Sequence, residues 1–452
     1  MSSLSRAVLD GASATEIEAA PVPATYLALH LRAEDTDMFK GVADKDVRKS
    51  LRLGQVPVPE LAPDEVLVAV MASSINYNTV WSAMFEPIPT FHFLKQNARQ
   101  GGWAARHDQP YHVLGSDCSA VVVRVGTGVR RWKPGDHVTV HPVHVDDQQP
   151  ETHGDGMLGS EQRAWGFETN FGALAEYGIV RSTQLLPKPA HLTWEEAAVN
   201  PLCASTAYRM LVSDRGAHMK QGDIVLIWGA SGGLGSYAIQ FVKNGGGIPV
   251  AVVSSAQKEA AVRALGCDLV INRTELGITD EMADDPRLVL ETGRKLAKLV
   301  VEKAGREPDI VFEHTGRVTF GLSVIVARRG GTVVTCGSSS GYLHTFDNRY
   351  LWMKLKKIVG SHGANYEEQQ ATNRLFESGA VVPAMSAVYP LAAGAEACRI
   401  VQTSRQVGKV AVLCMAPEPG LGVTDPELRG RIGEDRLNPL RGLTAGPDSR
   451  EL

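Results

Sequence analysis

Between about residues 55 and 145, apolar residues alternate with polar ones or run together in short stretches. EVLVAVMASSI at 65–75, AVVVRVG at 120–126 and DHVTVHPV at 136–143 each read as a strand. Gly, Pro and Asp punctuate them, and GVRRWKPGDHV at 128–138 reads as a tight loop between two strands. The pattern predicts a mostly β, barrel-like domain. After about residue 195 the texture changes. IVLIWGASGGLGSYAIQFVKNGGGIPVAVV at 224–253 reads strand, glycine loop, helix, strand, and the alternation continues through DIVFEHTG and GTVVTCGSS. That alternation predicts a parallel, doubly wound α/β unit. Near 385 the β-rich texture returns with AVYPL and GKVAVLC. The first domain is therefore expected to be discontinuous, 1–197 with 366–452, around an α/β domain at 198–365. From about 416 the chain is rich in Pro, Gly and charge, which predicts a flexible tail or an arm on a neighbouring subunit.

Composition narrows the class. Lys plus Arg number 46 against 50 Asp plus Glu, so no basic excess points to nucleic acid or an anionic membrane surface. The six cysteines are scattered without a Cys-x-x-Cys pair, which fits reduced thiols rather than a disulfide scaffold. No apolar run approaches the roughly 18 residues of a membrane span, and the first thirty residues lack a signal-type apolar stretch behind a basic start. A cytoplasmic enzyme is expected.

GASGGLGS at 229–236 follows an apolar strand and opens a helix. Gly229, Gly232 and Gly235 let the backbone turn and approach a pyrophosphate, and Ser231, Gly233 and Leu234 belong to the same loop. The second glycine of a strict Gly-x-Gly-x-x-Gly is missing, so the strand–loop–helix context carries the reading. An NAD site usually sets an acidic residue at the end of the next strand. Here Ser254 and Ser255 stand there, with Lys258 just beyond and Arg273 further on. Hydroxyls and cations suit a 2′-phosphate, so NADPH is the expected cofactor, although Lys258 also reads as a solvated helix charge.

The combination resembles the medium-chain dehydrogenase/reductase superfamily, a GroES-like β-barrel catalytic domain joined to a Rossmann domain. Its zinc-dependent members carry a Cys ligand, a Gly-His-Glu element and often a four-Cys lobe. This chain reads LGSDCSAVV at 114–122 and has no four-Cys cluster. Its densest histidine group is His137, His141 and His144; on one strand the first two share a face and the third points away, which is poor ligand geometry. No metal is expected, and hydride transfer to an activated C=C bond is the favoured chemistry.

WGFETNFGALAEYGIV, ARRGGTVVTCGSSSGY, FDNRYLWMKLKKIVGSHGANY and NPLCASTAYRML narrow the resemblance to the crotonyl-CoA carboxylase/reductase family, over about residues 20 to 415. The resemblance implies that NADPH delivers hydride to the β-carbon of a trans-2-enoyl-CoA and that the enolate attacks CO2, giving an alkylmalonyl-CoA. It further implies a homotetramer and a CO2 pocket made of Asn78, Phe167, Glu168 and His362. Asn78 and His362 would offer N–H groups to the CO2 oxygens. Glu168, an acceptor when ionised, would anchor a water or orient a neighbour, and Phe167 would keep out water that protonates the enolate. Taken singly, each of the four has a bland reading as core, turn or solvated residue. Arg349 is implied as a CoA contact, while Lys354, Lys356 and Lys357 read equally as a solvated helix face.

Two positions depart from the family pattern. Ala164 stands where most members carry a β-branched aliphatic, and Gly363 where most carry Phe. Both flank pocket residues, and both reductions together imply a wider acyl channel, with 2-octenoyl-CoA as substrate and hexylmalonyl-CoA, a polyketide extender unit, as product. Gly363 could instead answer a need for positive φ. The competing readings are a crotonyl-CoA enzyme making ethylmalonyl-CoA, a plain enoyl-CoA or quinone reductase, and a non-enzymatic NADPH-binding structural or sensor protein.

Overall fold

A computed structural model describes residues 1–444, which divide into two compact units. The first takes in Met1–Leu202, Asn365–Glu377 and the chain from Met385 onward. Its main sheet has seven strands. In spatial order six of them are Leu185–Pro187, His137–Val140, Cys118–Val125, Glu65–Ser74, Lys409–Leu413 and Met385–Pro390, and Tyr177–Arg181 also pairs with Glu65–Ser74. The central strand Glu65–Ser74 is buried at all ten positions. Its side chains alternate faces: Val66, Val68 and Val70 pack with Val122, Val138 and Trp165, whereas Leu67, Ala69 and Met71 pack with Val121, Phe171 and Tyr177. Period-two patterning therefore serves two apolar clusters at once, which is why EVLVAVMASS reads as nearly unbroken apolar sequence.

The second unit holds six parallel strands in the order Leu269–Asn272, Ile248–Val253, Ile224–Ile227, Ile310–Glu313, Thr332–Thr335, Lys357–Gly360. The order reverses between Ile224–Ile227 and Ile310–Glu313. Ligands of such sheets bind outside the carboxyl ends of the strands at that reversal.

The units divide at Leu202 and Cys203 and at Ala364 and Asn365, close to the boundaries read from the sequence at 197 and 365. One short excursion departs from that reading: Ser378–Ala384 belongs to the second unit. The Gln240 side chain brackets Val382 there, donating to its carbonyl at 3.1 Å and accepting its N–H at 2.9 Å.

The tail corrects its sequence reading. Its described part is neither loose nor an arm extended away from its own chain. Leu421 O accepts the Trp194 N–H at 2.9 Å, and the Thr424 N–H reaches Ala190 O at 2.7 Å. Helix Pro426–Ile432 brings Arg429 onto the fully buried Glu196 in a two-pronged ion pair of 2.7 and 3.1 Å. Leu437 and Leu440 are completely buried, and Thr444 is hydrogen-bonded to Ser386. The remainder of the tail, 445–452, lies outside the described residues.

Among the described residues no helix is long and apolar enough to cross a membrane.

Candidate active site

The glycine loop leaves the carboxyl end of Ile224–Ile227 and enters helix Gly233–Asn244. Gly232 caps this helix without a side chain, and the first backbone bond into it runs from Ser236 N to Gly232 O at 2.9 Å. The N–H groups of Gly233, Leu234 and Gly235 have no acceptor among the described residues. Three open donors at the positive end of a twelve-residue helix suit a pyrophosphate. A Cβ on Gly235 would lie 2.5 Å from both Ala230 Cα and Gly229 O, so only glycine allows the loop to close this tightly. Ser231 is buried beside it.

At the end of the next strand, Lys258 Nζ donates to Ser254 Oγ at 3.3 Å. Burial and then the Arg273 charge pull the Lys258 ammonium below its usual range. Neither cation has a carboxylate partner among the described residues. Two mutually repelling cations beside a hydroxyl fit the dianionic 2′-phosphate that distinguishes NADPH from NADH. Ser255 has a second duty: its Oγ accepts the Lys258 N–H at 3.3 Å and caps helix Ala256–Ala264.

In the first unit the segment around Trp165 forms a closed turn. Arg163–Ala164 pairs with Val143–His144, and Ala164 O accepts the N–H groups of Phe167, Glu168 and Thr169 at 3.2, 2.7 and 3.4 Å. The Glu168 carboxylate reaches back to the Ala164 N–H at 2.7 Å. Glu168 thus clasps its own turn, which favours the neighbour-orienting role over the water anchor. Trp165 is buried in the core cluster. Phe167 stays half-buried, its ring 5.9 Å from Phe93 on helix Phe91–Ala98, and the two rings form an aromatic wall.

Asn78 lies in the first turn of helix Tyr77–Met84. Its Nδ2 donates to Ser116 Oγ at 2.9 Å, and Ser116 Oγ donates onward to Trp165 O at 2.6 Å. The Asn78 Oδ1 is buried without a partner. A buried carbonyl oxygen without a partner is a place where a ligand or water can complete the bonding. The sequence reading gave Asn78 only a donor role; the structure commits one of its N–H bonds to Ser116 and leaves an acceptor open as well.

The structure brings Asn78, Phe167 and Glu168 together on adjoining segments of the first unit. The other expected site residues, His362, Gly363 and Arg349, belong to the second. His362 follows the strand Lys357–Gly360, is exposed and has no hydrogen bond among the described residues. Gly363 adopts φ +51°, where any other residue is strained, so its small size has a backbone reason independent of channel width. Arg349 is exposed and doubly bonded to Asp347, at 3.0 Å through Nε and 2.7 Å through Nη2, so its guanidinium already has an anionic partner. Lys356 is not solvated: its buried ammonium donates to Val324 O and Ile325 O at 2.7 and 3.0 Å.

The clustered histidines go to separate partners. His137 packs 4.7 Å from the Trp194 ring, His141 pairs with Gln369 at 3.2 Å, and burial holds the His144 pKa well down. Among the described residues no group of three or more His, Cys, Asp or Glu gathers as a metal site.

Two supports escaped the sequence reading. Asp117 is fully buried and accepts from Ser74 Oγ at 2.6 Å, Asn76 Nδ2 at 2.8 Å, Lys409 Nζ at 3.0 Å and the Leu202 N–H at 2.8 Å, anchoring the start of the Asn78 helix. At the sheet's reversal point, His314 Nε2 donates to Trp228 O at 2.9 Å beneath the glycine loop. Burial lowers its pKa to about 4, so the ring is neutral at physiological pH. The signals were present in LGSDCSA and FEHTG, but only the fold shows what these side chains touch.

Residues 62–190 match the alcohol dehydrogenase GroES-like domain, and residues 233–378 match the zinc-binding dehydrogenase family. With the doubly wound sheet and its glycine loop, these matches make the protein a medium-chain dehydrogenase/reductase. Crotonyl-CoA reductase of Streptomyces collinus is 52% identical over 437 residues, covering 96% of this chain and 97% of the relative. Crotonyl-CoA carboxylase/reductase of Cereibacter sphaeroides is 39% identical over 381 residues, covering 82% and 86%. The chain belongs to the crotonyl-CoA carboxylase/reductase family. A solved structure of the 2-octenoyl-CoA carboxylase reductase CinF, in complex with NADP and 2-octenoyl-CoA, is 92% identical, covers 98% of this chain and 100% of that chain, and superposes with a TM-score of 0.97.

Proposed function

We propose that this chain is an NADPH-dependent enoyl-CoA carboxylase/reductase that converts 2-octenoyl-CoA and CO2 to hexylmalonyl-CoA, a polyketide extender unit. The observation that carries the reading is 92% identity, over 98% of this chain, to a 2-octenoyl-CoA carboxylase reductase. NADPH supplies the hydride that reaches the β-carbon of the enoyl thioester. The electron pair released onto the α-carbon forms the C–C bond to CO2, a C=O pair of CO2 moves onto oxygen, and no external proton is needed.

The residues serve that balance by position and exclusion. Gly233, Leu234 and Gly235 hold the cofactor pyrophosphate by backbone N–H groups, and Ser254, Lys258 and Arg273 hold its 2′-phosphate. Asn78 orients CO2, and His362 donates to the carboxylate as charge develops on it. Phe167, backed by Phe93, keeps water from protonating the enolate. Glu168 holds the turn that carries Phe167, and Arg349 exchanges Asp347 for a CoA phosphate. A cytoplasmic homotetramer belongs to the same proposal.

Chain length tests the substrate. The φ of Gly363 leaves Ala164 as the residue whose size speaks to channel width, so Ala164→Ile is the informative variant. In wild-type enzyme, kcat/KM for C6 and C8 enoyl-CoAs should equal or exceed that for crotonyl-CoA, each added methylene gaining up to about 0.8 kcal/mol. Ala164→Ile should lower the C8 value by about tenfold or more through overpacking and spare C4. Wild-type preference for C4 would favour an ethylmalonyl-CoA product instead, and an unchanged profile in the variant would remove Ala164 from the channel.

A further inference from the structure

The bonding around Ser116 fixes which way the Asn78 amide faces. Ser116 is fully buried and carries one hydroxyl proton, which it donates to Trp165 O at 2.6 Å. Toward Asn78, 2.9 Å away, Ser116 can therefore only accept. A flipped amide would set the Asn78 carbonyl oxygen against the Ser116 lone pairs, so Nδ2 faces Ser116 and Oδ1 faces away. Oδ1 is also the atom left buried without a partner. We propose that Ser116 is a positioning residue for carboxylation, holding Asn78 so that its carbonyl oxygen and second N–H are presented together to CO2.

The chemistry matches the ligand's charge distribution. CO2 has an electron-poor carbon between two electron-rich oxygens. A primary amide offers a carbonyl lone pair for that carbon and an N–H for one oxygen. The same open carbonyl would hold a water by accepting its O–H, so this atom is where CO2 and a potential proton source compete. Losing the Ser116 hydroxyl frees the amide to rotate and weakens that discrimination. The inference rests on Asn78 contacting CO2, as proposed above.

The test uses the full-length enzyme with NADPH, 2-octenoyl-CoA and a bicarbonate series with carbonic anhydrase. Alkylmalonyl-CoA and saturated acyl-CoA are quantified for wild type, Ser116→Ala, Asn78→Ala and the double variant, with Tm as a folding control. Ser116→Ala should lower the carboxylated-to-reduced ratio about fivefold or more and raise the apparent KM for CO2, the loss expected of one positioned hydrogen bond. In the Asn78→Ala background it should shift the ratio no further, because it acts through that amide. The proposal is overturned if Ser116→Ala keeps the wild-type ratio, if both products fall in parallel, or if the shift persists undiminished without Asn78. Should Asn78→Ala itself leave the ratio unchanged, the CO2 pocket reading fails and takes this proposal with it. A shift with Asn78→Ala but none with Ser116→Ala overturns this proposal alone.

Discussion

Replacing Asn78 by alanine should lower the ratio of carboxylated to merely reduced product by on the order of a hundredfold, the cost of removing one preorganised polar group where charge develops. The hydride step does not need CO2, so NADPH oxidation should continue and the enolate should collect a proton instead. The neighbouring residue gives a contrast. Glu168 accepts the Ala164 N–H at 2.7 Å, and a glutamine can make the same bond through its carbonyl oxygen. Glu168→Gln should therefore keep most of the wild-type ratio, whereas Glu168→Ala should release the turn and lose it. Product ratios by mass spectrometry check all three variants. Equal damage from Glu168→Gln and Glu168→Ala would show that the carboxylate charge matters, rather than its hold on the turn.

The second large effect concerns the cofactor. Lys258 and Arg273 lie close enough for one charge to depress the other, and neither has an anionic partner among the described residues. The double variant Lys258→Ala with Arg273→Ala should weaken NADPH binding by about a hundredfold or more, since each charge-assisted hydrogen bond is worth about 1.5–3 kcal/mol. Removing a repelling cation pair costs the empty protein nothing electrostatically, so stability should hold. NADH, lacking the 2′-phosphate, should bind the variant about as well as the wild type. Fluorescence titration of both cofactors measures this directly. A parallel loss for NADPH and NADH would mean that the two side chains support the fold of the site rather than the phosphate.

The parts legible in the sequence are those whose chemistry is local. A glycine loop acts through backbone N–H groups, so GASGGLGS could be read from its place between a strand and a helix although its glycine spacing is incomplete. The replacement of an acid by Ser254 and Ser255 disclosed cofactor choice in the same way. What stayed hidden depends on partners distant in sequence. The Pro- and Gly-rich tail reads as disordered until Arg429 meets Glu196, more than two hundred residues away. Gly363 reads equally as lost volume or as a need for positive φ, and only its φ of +51° supplies the backbone reason. Glu168 reads as anchoring a water or orienting a neighbour, and only the fold shows its carboxylate turning back on the Ala164 N–H; Ser116 has no motif to announce it. Trp165 and Phe167 are adjacent but one to a position; only the fold shows that the first enters the core while the second lines the aromatic wall.

The central claim is that this chain joins CO2 to a reduced medium-chain enoyl thioester. The most direct measurement is the mass of the product formed by the wild-type enzyme from 2-octenoyl-CoA and NADPH, in 13C-bicarbonate with carbonic anhydrase. The expected product is heavier than the substrate, counted as the neutral acid, by one labelled CO2 plus two hydrogens, the transferred hydride and the carboxyl proton, and its formation matches NADPH consumption one to one. A product heavier by two hydrogens alone, at saturating bicarbonate, would contradict the account and leave a plain enoyl-CoA reductase.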